Sequence, residues 1–341
     1  MKAVVMRGPH RLAVEEIADP RPEGRALVAV ETGGLCGTDL KILSGAIPVR
    51  CPLVMGHEVV GRVVKAGELG LVVEGTRVLV DPGLACRWCR PCRADRPNLC
   101  PNGALMGRDV DGGFAELVAV DELQLHPIPE HLPVAEAALL QVLATCVHAQ
   151  TLVDVFPGDP AAVMGLGVSG LLHLQLLRAR GAGTILGITR SAWKRQLALE
   201  LGATAVAAPE EAAEVARQLG DGARPRLVVE SVGEPETLGR CVELAAPGGT
   251  ILAFGTVTAD QVSGFPFYEL YYKELELVSS RAARPRDYAR AVELVAQGTL
   301  RLAPLWSRSF PLAEARRAFE VLMDAGSADL KVTLENDPVL A

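Results

Sequence analysis

The chain has 341 residues, too many for one compact core of ordinary size, and therefore predicts two domains. Its composition, with 49% hydrophobic residues, 34 glycines and only 4% aromatic residues, is typical of an α/β enzyme and argues against a disordered or fibrous chain. The formal net charge of -7 disfavours nucleic acid or an anionic membrane surface as a partner. We find neither a signal-peptide pattern nor a run of ~18 uncharged apolar residues, so we expect a cytoplasmic protein with no membrane partner.

From residue 1 to about residue 120, short β-type runs alternate with glycine-containing turns. The runs are RALVAVET, HEVVGRVVKAG, TRVLVDPG and GFAELVAV. Short strands with frequent turn signals predict a barrel-like, all-β region.

From about Ala161 the pattern changes to strands that alternate with helices. The strand-like runs AAVMG, TILGIT, RLVVE and TILAFG are separated by helix-like stretches, and LELVSS follows them. This alternation indicates βαβ units and predicts a parallel sheet of about five or six strands. The stretches DYARAVELVAQG, AEARRAFEVLM and LKVTLE do not continue it, so we expect the tail to rejoin the first domain.

Half of the eight cysteines, namely Cys86, Cys89, Cys92 and Cys100, lie within fifteen positions. Four thiolates at this spacing suit a closed, tetrahedral structural zinc site, and the intervening arginines favour the thiolate form. Disulfides are disfavoured because the chain is large and carries no export signal. An iron–sulfur cluster, a zinc ribbon for nucleic acid and a chance cluster of reduced thiols are the alternatives.

A second set of metal-binding side chains precedes this run. Cys36 lies in GLCGTDLK, and His57 and Glu58 lie in VMGHEVVG, so two separate loops offer a thiolate, an imidazole and a carboxylate. Such a mixed set suits an open zinc site, in which the metal keeps a position for water or substrate. Taken singly, Cys36 is more often a small buried residue and His57 a hydrogen-bonded loop residue.

The run GLGVSG carries a glycine pattern that is typical of dinucleotide binding. Gly165, Gly167 and Gly170 follow a predicted strand and open a helix, where a pyrophosphate could approach the helix N-terminus. A glycine-rich turn without a ligand is the alternative. We also assign to cofactor binding Val168 inside the motif and Gly255 at the end of TILAFG.

The next strand predicts which nicotinamide cofactor is used. An acidic residue about 20 positions after the glycines would bind the adenosine ribose of NAD. Thr189, Arg190 and Ser191 stand there instead, and Lys194 follows. Without the carboxylate, Arg190 can pair with a 2′-phosphate, with Lys194 as a further cation, so we predict a preference for NADP over NAD.

Five motifs, in order, resemble those of the zinc-dependent medium-chain dehydrogenase/reductase family of alcohol and polyol dehydrogenases. They are GLCGTDLK, GHEVVG, the four-cysteine run, DGGFAELV and GLGVSG, and the resemblance covers nearly the whole chain. It favours zinc over iron–sulfur. It implies an α/β protein with a GroES-like β-barrel catalytic domain and a Rossmann, doubly wound parallel-sheet cofactor domain. The expected boundaries are residues 1–148 and 283–341 for the catalytic domain, about 84–102 for its structural zinc lobe, and 149–282 for the cofactor domain.

The resemblance also implies roles for individual residues of the catalytic domain. Cys36 and His57 would be ligands of the catalytic zinc, with Glu58 able to bind or approach the metal. Thr38 would take the proton of the alcohol. Asp39 would orient the histidine.

Two positions depart from the pattern that is usual in this family. Lys41 stands where many relatives have a histidine that passes the proton to solvent, so the end of this relay differs. Gln141 stands where the third zinc ligand is usually cysteine, glutamate or aspartate, and a neutral amide would make the site more electropositive. We read the nearby Cys146 and His148 as packing residues.

The resemblance implies an oxidoreductase that transfers hydride between an alcohol, polyol or sugar and NADP or NAD. We expect two zinc ions per chain and a homo-oligomer, either a dimer or a tetramer. The alternatives are a zinc-independent NADPH reductase of the same superfamily and a non-enzymatic zinc-binding protein. Cys51 and Cys241 have no partner spacing and are expected to be free thiols.

Overall fold

The computed structural model describes residues 1–219, 224–256, 265–324 and 327–336. Its internal contacts divide the chain into two units. The first, here called the β-rich unit, comprises Met1–Ala144, Arg284–Gln297 and Leu302–Ala341. The second, the α/β unit, comprises Thr145–Ala283 and Gly298–Arg301. In the described part of the chain, no helix has the length and apolar character needed to cross a bilayer.

The N-terminal part of the β-rich unit consists of short strands, as the runs between glycines predict. The strands are β1 (Lys2–Gly8), β2 (Arg11–Glu16), β3 (Ala26–Gly34), β4 (Leu53–Val54), β5 (Glu58–Lys65), β6 (Arg77–Val80), β7 (Gly83–Leu84), β8 (Ala104–Leu105), β9 (Leu117–Val120) and β10 (Leu125–Pro127). The helices are α1 (Gly37–Leu43), α2 (Arg90–Arg93), α3 (Val134–Ala137) and α4 (Leu140–Gln150), of which α4 continues into the α/β unit.

Antiparallel pairing brings β3 and β5 side by side in the main sheet of this unit. The sheet has the order β10-β6-β5-β3, and β9 also pairs with β3. Buried valines such as Val28, Val59 and Val80 fill its interior, because alternate residues of each strand face inward. In this register Gly34 at the end of β3 is the partner of Glu58 at the start of β5.

The α/β unit has the alternating order that the sequence predicts. Its strands are β11 (Ala161–Met164), β12 (Ile185–Ile188), β13 (Ala205–Ala207), β14 (Leu227–Glu230), β15 (Thr250–Ala253) and β16 (Glu276–Ser279). Its helices are α5 (Val168–Ala179), α6 (Ala192–Glu200), α7 (Ala212–Gln218), α8 (Pro235–Leu244) and α9 (Phe267–Tyr272).

All strands of this unit are parallel, in the order β13-β12-β11-β14-β15-β16. Strands β11, β12 and β14 are buried at every position, which explains why their sequences are uniformly apolar and do not alternate. The order runs outward from β11 in both directions. The carboxyl ends of β11 and β14 are therefore the place where such a sheet binds a ligand.

The C-terminal residues return to the β-rich unit as α10 (Pro285–Ala296), β17 (Trp306–Pro311), α11 (Ala315–Met323) and β18 (Lys331–Glu335). Strand β18 pairs antiparallel with β3 and parallel with β17, so it completes the main sheet. The apolar face of α11 is buried, and Phe319 packs edge-on against Phe114 with ring centroids 6.4 Å apart. This return places Lys331, the first residue of β18, beside the end of β3.

Candidate active site and cofactor site

The four cysteines of the predicted zinc lobe converge. Their sulfurs all lie within 4.8 Å of one another, and none is in a disulfide. Cys89 Sγ is 3.4 Å from Cys92 Sγ and 3.8 Å from Cys100 Sγ, and Cys100 Sγ is 3.5 Å from Cys86 Sγ. A tetrahedron with zinc–sulfur bonds of about 2.3 Å has sulfur–sulfur edges of about 3.8 Å. The spacing of the thiols therefore fits one tetrahedral zinc ion.

Backbone N–H groups of the loop donate to the thiols of Cys86, Cys89 and Cys92. Burial alone would raise the pKa of Cys86, but hydrogen bonds from the backbone of Trp88 and Cys89 contribute to lowering it to about 6. Arg87 is turned away, since its guanidinium donates to Asp121 at 3.0 Å. Arg87 therefore does not supply the positive charge that the sequence suggests for it, whereas N–H groups of the loop are directed at the sulfurs.

The second predicted cluster also forms, at the ends of two neighbouring strands. Ligand atoms of Cys36, His57 and Glu58 lie within 4.8 Å of one another. Cys36 stands at the N-cap position of α1, two residues after the end of β3, while Glu58 begins β5 and His57 immediately precedes it. The Glu58 side chain can lie against the end of β3 only because residue 34 is glycine, since a Cβ atom on Gly34 would lie 2.2 Å from Glu58 Oε2.

Asp39 lies behind this cluster, where the resemblance predicts a carboxylate that orients the histidine. Its Oδ2 accepts a hydrogen bond from the backbone N–H of Cys36 at 2.9 Å, and its Oδ1 lies 3.3 Å from His57 Nδ1. Burial favours neutral His57, but the Asp39 carboxylate and the Cys36 thiolate outweigh this and raise its pKa well above the usual value. With Nδ1 directed at Asp39, Nε2 is the ring nitrogen left to bind a metal.

The polar atoms of this cluster test whether a cation fits. Glu58 Oε1 is buried and has no hydrogen-bond partner within the described residues, whereas Asp39 Oδ1 and His57 Nδ1 face each other at 3.3 Å. An unpartnered carboxylate oxygen beside a thiol and an imidazole is costly to bury unless a cation binds it. The donor set of sulfur, nitrogen and oxygen is one that zinc binds in open sites. The residues therefore fit a zinc ion.

A buried lysine, which the sequence did not single out, completes the surroundings of Glu58. Lys331 Nζ donates to Glu58 Oε2 at 2.5 Å and to the backbone oxygen of Leu35 at 3.1 Å. Both charged side chains are almost fully buried, at 3% exposure for Lys331 and 1% for Glu58. The lysine thus balances one negative charge of the cluster and holds one oxygen of Glu58.

The predicted proton relay and third ligand lie on helices of the same unit. Thr38 and Lys41 are both on α1, half-buried and three residues apart, so they share one helix face. Gln141 is buried in the first turn of α4. Its side chain hydrogen-bonds the hydroxyl group of Tyr288, a residue of α10 for which the sequence offers no functional signal.

The glycine motif of the α/β unit forms a tight turn between β11 and α5. Gly165 has φ of +91°, a conformation that favours glycine. A Cβ on Gly170 would lie 1.8 Å from the carbonyl oxygen of Gly165, so only glycine allows the helix to pack here. A Cβ on Gly167 would meet nothing within 4 Å. Gly167 therefore leaves room for a ligand at the N-terminus of α5, which begins with Val168.

A cavity of about 350 Å³ lies beside this turn at the carboxyl edge of the sheet. It is lined by Gly165 and Gly167, by the predicted Thr189 and Arg190, and by residues that follow β14, among them Ser231. Ser231 Oγ lies 2.8 Å from Ser169 Oγ, which joins the β14 end to α5. The place and lining of the cavity are those expected for the adenosine half of a dinucleotide.

Gly255 packs against the backbone near the same edge. A Cβ on it would lie 2.2 Å from the backbone nitrogen of Gly233, and its own N–H donates to the carbonyl oxygen of Glu230 at 3.0 Å. The carboxylate of Glu230 is fully buried and accepts from Val232 N–H at 2.8 Å. The geometry therefore gives Gly255 a packing role at the end of β15.

The cations after β12 differ in their positions. Arg190 is exposed and lines the cavity, as the NADP prediction requires. Lys194 is absent from that lining, and its ammonium group instead lies 5.3 Å from the centroid of the Trp193 ring. Arg195 has a role that the sequence did not indicate: its Nη1 donates to the backbone oxygens of Thr189 and Arg190, at 2.7 and 3.0 Å. Ser191 caps the helix that carries both.

The remaining cysteines and the nearby histidine lie apart from these clusters. Cys146, His148 and Cys241 are buried, whereas Cys51 is exposed. None of these cysteines is in a disulfide. Burial raises the pKa of Cys146 and of Cys241, so both are protonated thiols that pack in the interior.

Comparison with known proteins agrees with this geometry. Residues 22–130 match the family model of the alcohol dehydrogenase GroES-like domain, and residues 169–297 match that of the zinc-binding dehydrogenases. D-arabitol-phosphate dehydrogenase of Enterococcus avium is 29% identical over 99% of this chain and 98% of its own.

Two solved structures are similar over almost the whole chain. Alcohol dehydrogenase TADH from Thermus sp. ATN1 has a TM-score of 0.91, 32% identity and coverage of 99% of this chain and 100% of its own. A protein assigned as a zinc-binding dehydrogenase from Sinorhizobium meliloti 1021, bound to NADP, has a TM-score of 0.90, 34% identity and coverage of 98% of each chain. The chain therefore belongs to the zinc-dependent medium-chain dehydrogenase/reductase family of alcohol and polyol dehydrogenases.

Proposed function

We propose that this chain oxidises a polyol or sugar alcohol, or reduces the corresponding carbonyl, with NADP as the preferred cofactor. The proposal rests on the convergence of Cys36, His57 and Glu58, whose sulfur, nitrogen and oxygen atoms form a donor set that fits a metal ion, and on the unpartnered, buried Oε1 of Glu58. Membership of the family adds zinc and a nicotinamide dinucleotide as cofactors. We assign Cys36, His57 and Gln141 as ligands of the catalytic zinc, with Glu58 as an occasional ligand, and the four lobe cysteines as ligands of a second zinc ion.

The residues of the β-rich unit would bind and deprotonate the alcohol. Zinc at the Cys36/His57 cluster would supply Lewis-acid polarisation of the alcohol oxygen. Thr38, two residues after Cys36, would accept the hydroxyl proton as it releases its own, and Lys41 on the same face of α1 would take up the released proton and give one to solvent. Asp39 would keep His57 in the tautomer that binds through Nε2.

The NADP preference is supported by the charges around the cavity. Arg190 is exposed there, and no carboxylate of the described residues forms an ion pair with it that would compete with a phosphate. Three carboxylates that line the cavity, Glu210, Glu234 and Glu236, would repel a phosphate, but Arg240 lies 2.9 Å from Glu236 and 3.7 Å from Glu210. Their negative charge is therefore partly neutralised, and Arg190 sets the local preference.

The substrate class is supported by the relatives and by Gln141. The enzyme of E. avium is named for a phosphorylated sugar alcohol, and an E. coli relative at 29% identity is named L-galactonate-5-dehydrogenase. A neutral third ligand makes the site more electropositive, which favours binding of an oxygen-rich substrate. A panel of simple alcohols, polyols, sugar acids and sugar-alcohol phosphates, each with NADP and NAD, tests the proposal. Higher kcat/KM for simple alcohols than for every polyol would contradict it.

We also propose that the chain forms a homodimer through the edge strand β16. This strand is largely exposed, and Leu277 on it is 44% exposed. The preceding helix α9 exposes aromatic side chains, with Tyr268 70% and Tyr271 80% exposed. An exposed edge strand beside apolar surface is suited to pairing with a second copy across a two-fold axis.

We further propose a cytoplasmic location, because free thiols fit a reducing compartment such as the cytoplasm.

A further inference from the structure

Tyr288 is a buried residue whose hydroxyl group links the proposed zinc ligand Gln141 to a carboxylate. It lies on α10 with 1% exposure, and its ring stacks on that of His126 with centroids 5.0 Å apart and an angle of 13°. The hydroxyl hydrogen-bonds two side chains, those of Asp81 and Gln141. Because the stacking on His126 holds the ring, the hydroxyl is held between these two partners.

Asp81 is the rigid end of this arrangement. It follows β6, and its Oδ1 accepts from the backbone N–H of Gly83 at 2.8 Å. Its own backbone N–H and carbonyl both bind Gln124, at 2.7 Å to the backbone oxygen and 2.9 Å from the side-chain amide. Burial raises the pKa of Asp81 to about 6, against the opposing bonds from Gly83 and Tyr288, so the carboxylate is ionised at pH 8.

The direction of each hydrogen bond follows from counting protons. An ionised carboxylate only accepts, so the single O–H proton of Tyr288 is donated to Asp81. The phenol oxygen can then only accept from its second partner. The amide of Gln141 has donors on Nε2 alone, so Nε2 faces Tyr288 and the amide oxygen Oε1 faces the other way.

We propose that Tyr288 and Asp81 are positioning residues that fix the amide orientation of Gln141, so that its oxygen, and not its nitrogen, is presented to the catalytic zinc. The inference rests on the proposed role of Gln141 as a ligand. An amide rotated by half a turn would direct N–H groups at a cation, which repels it. Groups that orient a ligand in this way commonly change metal affinity by about 10- to 100-fold.

A carboxylate at position 141 provides a sharp test, because its two oxygens are equivalent and need no orientation. We would measure zinc affinity at pH 8 by chelator competition, with zinc alone as the probe. In the natural background, Tyr288→Phe keeps the ring and its stacking but should weaken binding of one zinc ion by about 10-fold or more. In the Gln141→Glu background, the same change should weaken it by less than about 2-fold. The exposed Tyr271→Phe is the matched control and should change nothing.

The set of variants separates this inference from the proposed function. A purely structural role of Tyr288 predicts equal losses in both backgrounds, and equal losses would overturn the inference. Asp81→Ala frees the phenol proton to bind the amide oxygen, so its loss should match that of Tyr288→Phe, and full retention would count against the inference. If Gln141→Ala keeps normal affinity for both zinc ions, the ligand assignment itself fails and the inference fails with it. If Gln141→Ala loses one zinc ion while Tyr288→Phe loses none, only the inference fails.

Discussion

Lys331 Nζ lies 2.5 Å from Glu58 Oε2, and both side chains are buried beside the proposed zinc ligands. Burial would lower the pKa of this lysine, but the negative charges of Glu58 and Cys36 outweigh it and raise the pKa. The ammonium group therefore stays charged. It holds one oxygen of Glu58, while Oε1 has no partner among the described residues and is free to approach a metal.

Removing this lysine should destabilise the β-rich unit. Lys331→Met removes the ion-pair partner of the buried Glu58 carboxylate, which costs about 3–5 kcal/mol for such pairs. Adding Glu58→Gln should recover most of the loss, because no charge then remains unpaired. Urea unfolding of the zinc-free proteins measures both, with the exposed Lys65→Met as control. Equal stability of Lys331→Met and the natural protein would show that the pair is not needed.

The structural lobe should lose its zinc when one cysteine is changed. Cys100 is the most buried of the four, and Cys100→Ser removes a thiolate from a closed site. We expect elemental analysis to find about one zinc ion per chain in place of two, and a lower thermal midpoint. The exposed thiol of Cys51 provides the control, and Cys51→Ser should keep both ions. Retention of two ions by Cys100→Ser would rule out the lobe as a zinc site.

The cofactor preference should depend on Arg190. Arg190→Ala removes a charge-assisted contact to the 2′-phosphate, so kcat/KM for NADP should fall by roughly 10- to 100-fold while that for NAD changes little. Lys194→Ala is the control. Its ammonium group lies over the Trp193 ring and away from the cavity, so the ratio should stay the same. A larger effect at Lys194 than at Arg190 would reverse this assignment.

Acid should destabilise the α/β unit through His173. Burial lowers the pKa of this fully buried histidine to about 3, whereas the unfolded chain binds a proton near pH 6.5. A depressed pKa in the folded state contributes stability that is present above pH 6.5 and is lost as the pH falls toward 3. At pH 5 the loss is about 2 kcal/mol.

Urea unfolding at pH 7.5 and pH 5 measures this dependence. His173→Gln should reduce the difference between the two pH values, because glutamine does not titrate in this range. The exposed His131→Gln should leave the difference unchanged, since that side chain is accessible to solvent. An unchanged difference in His173→Gln would mean that other groups cause the acid sensitivity.

The edge strand offers a test of the proposed dimer. Leu277→Lys places a charge on the exposed face of β16, where a second copy would pack, and should convert dimers to monomers in light scattering. The exposed Leu69→Lys, in the other unit, is the control. A mass unchanged by Leu277→Lys would place the interface elsewhere.

Local patterns predicted the elements and the convergence of the four lobe cysteines, whereas the Cys36/His57 cluster was predicted from two separate loops and the family resemblance. The two-residue gap between Cys86 and Cys89 predicted that they share one site, and the glycine motif predicted the turn at Gly165. Both predictions concern residues that are close together in the chain. The partner of Glu58 could not be predicted, since Lys331 is 273 residues away and is brought close only by the pairing of β18 with β3.

The sequence also could not predict which of two neighbouring residues contacts the segment after β12. Lys194 and Arg195 are adjacent and both cationic, yet of the two only Arg195 donates to the backbone oxygens of Thr189 and Arg190. Helix rotation decides which of the two faces the loop. Tyr288 likewise gave no signal, because its proposed role depends on side chains from three separate parts of the chain.

The zinc dependence of the reaction tests most directly whether the Cys36/His57 cluster is a catalytic zinc site. The zinc content and the NADP-dependent oxidation of the best polyol would be measured before chelation, after removal of the more labile zinc ion, and after its return. We expect activity to vanish with that ion and to return with it, while Cys36→Ala, with the lobe still loaded, stays inactive. Full activity in a protein free of zinc would contradict the account and favour a zinc-independent reductase.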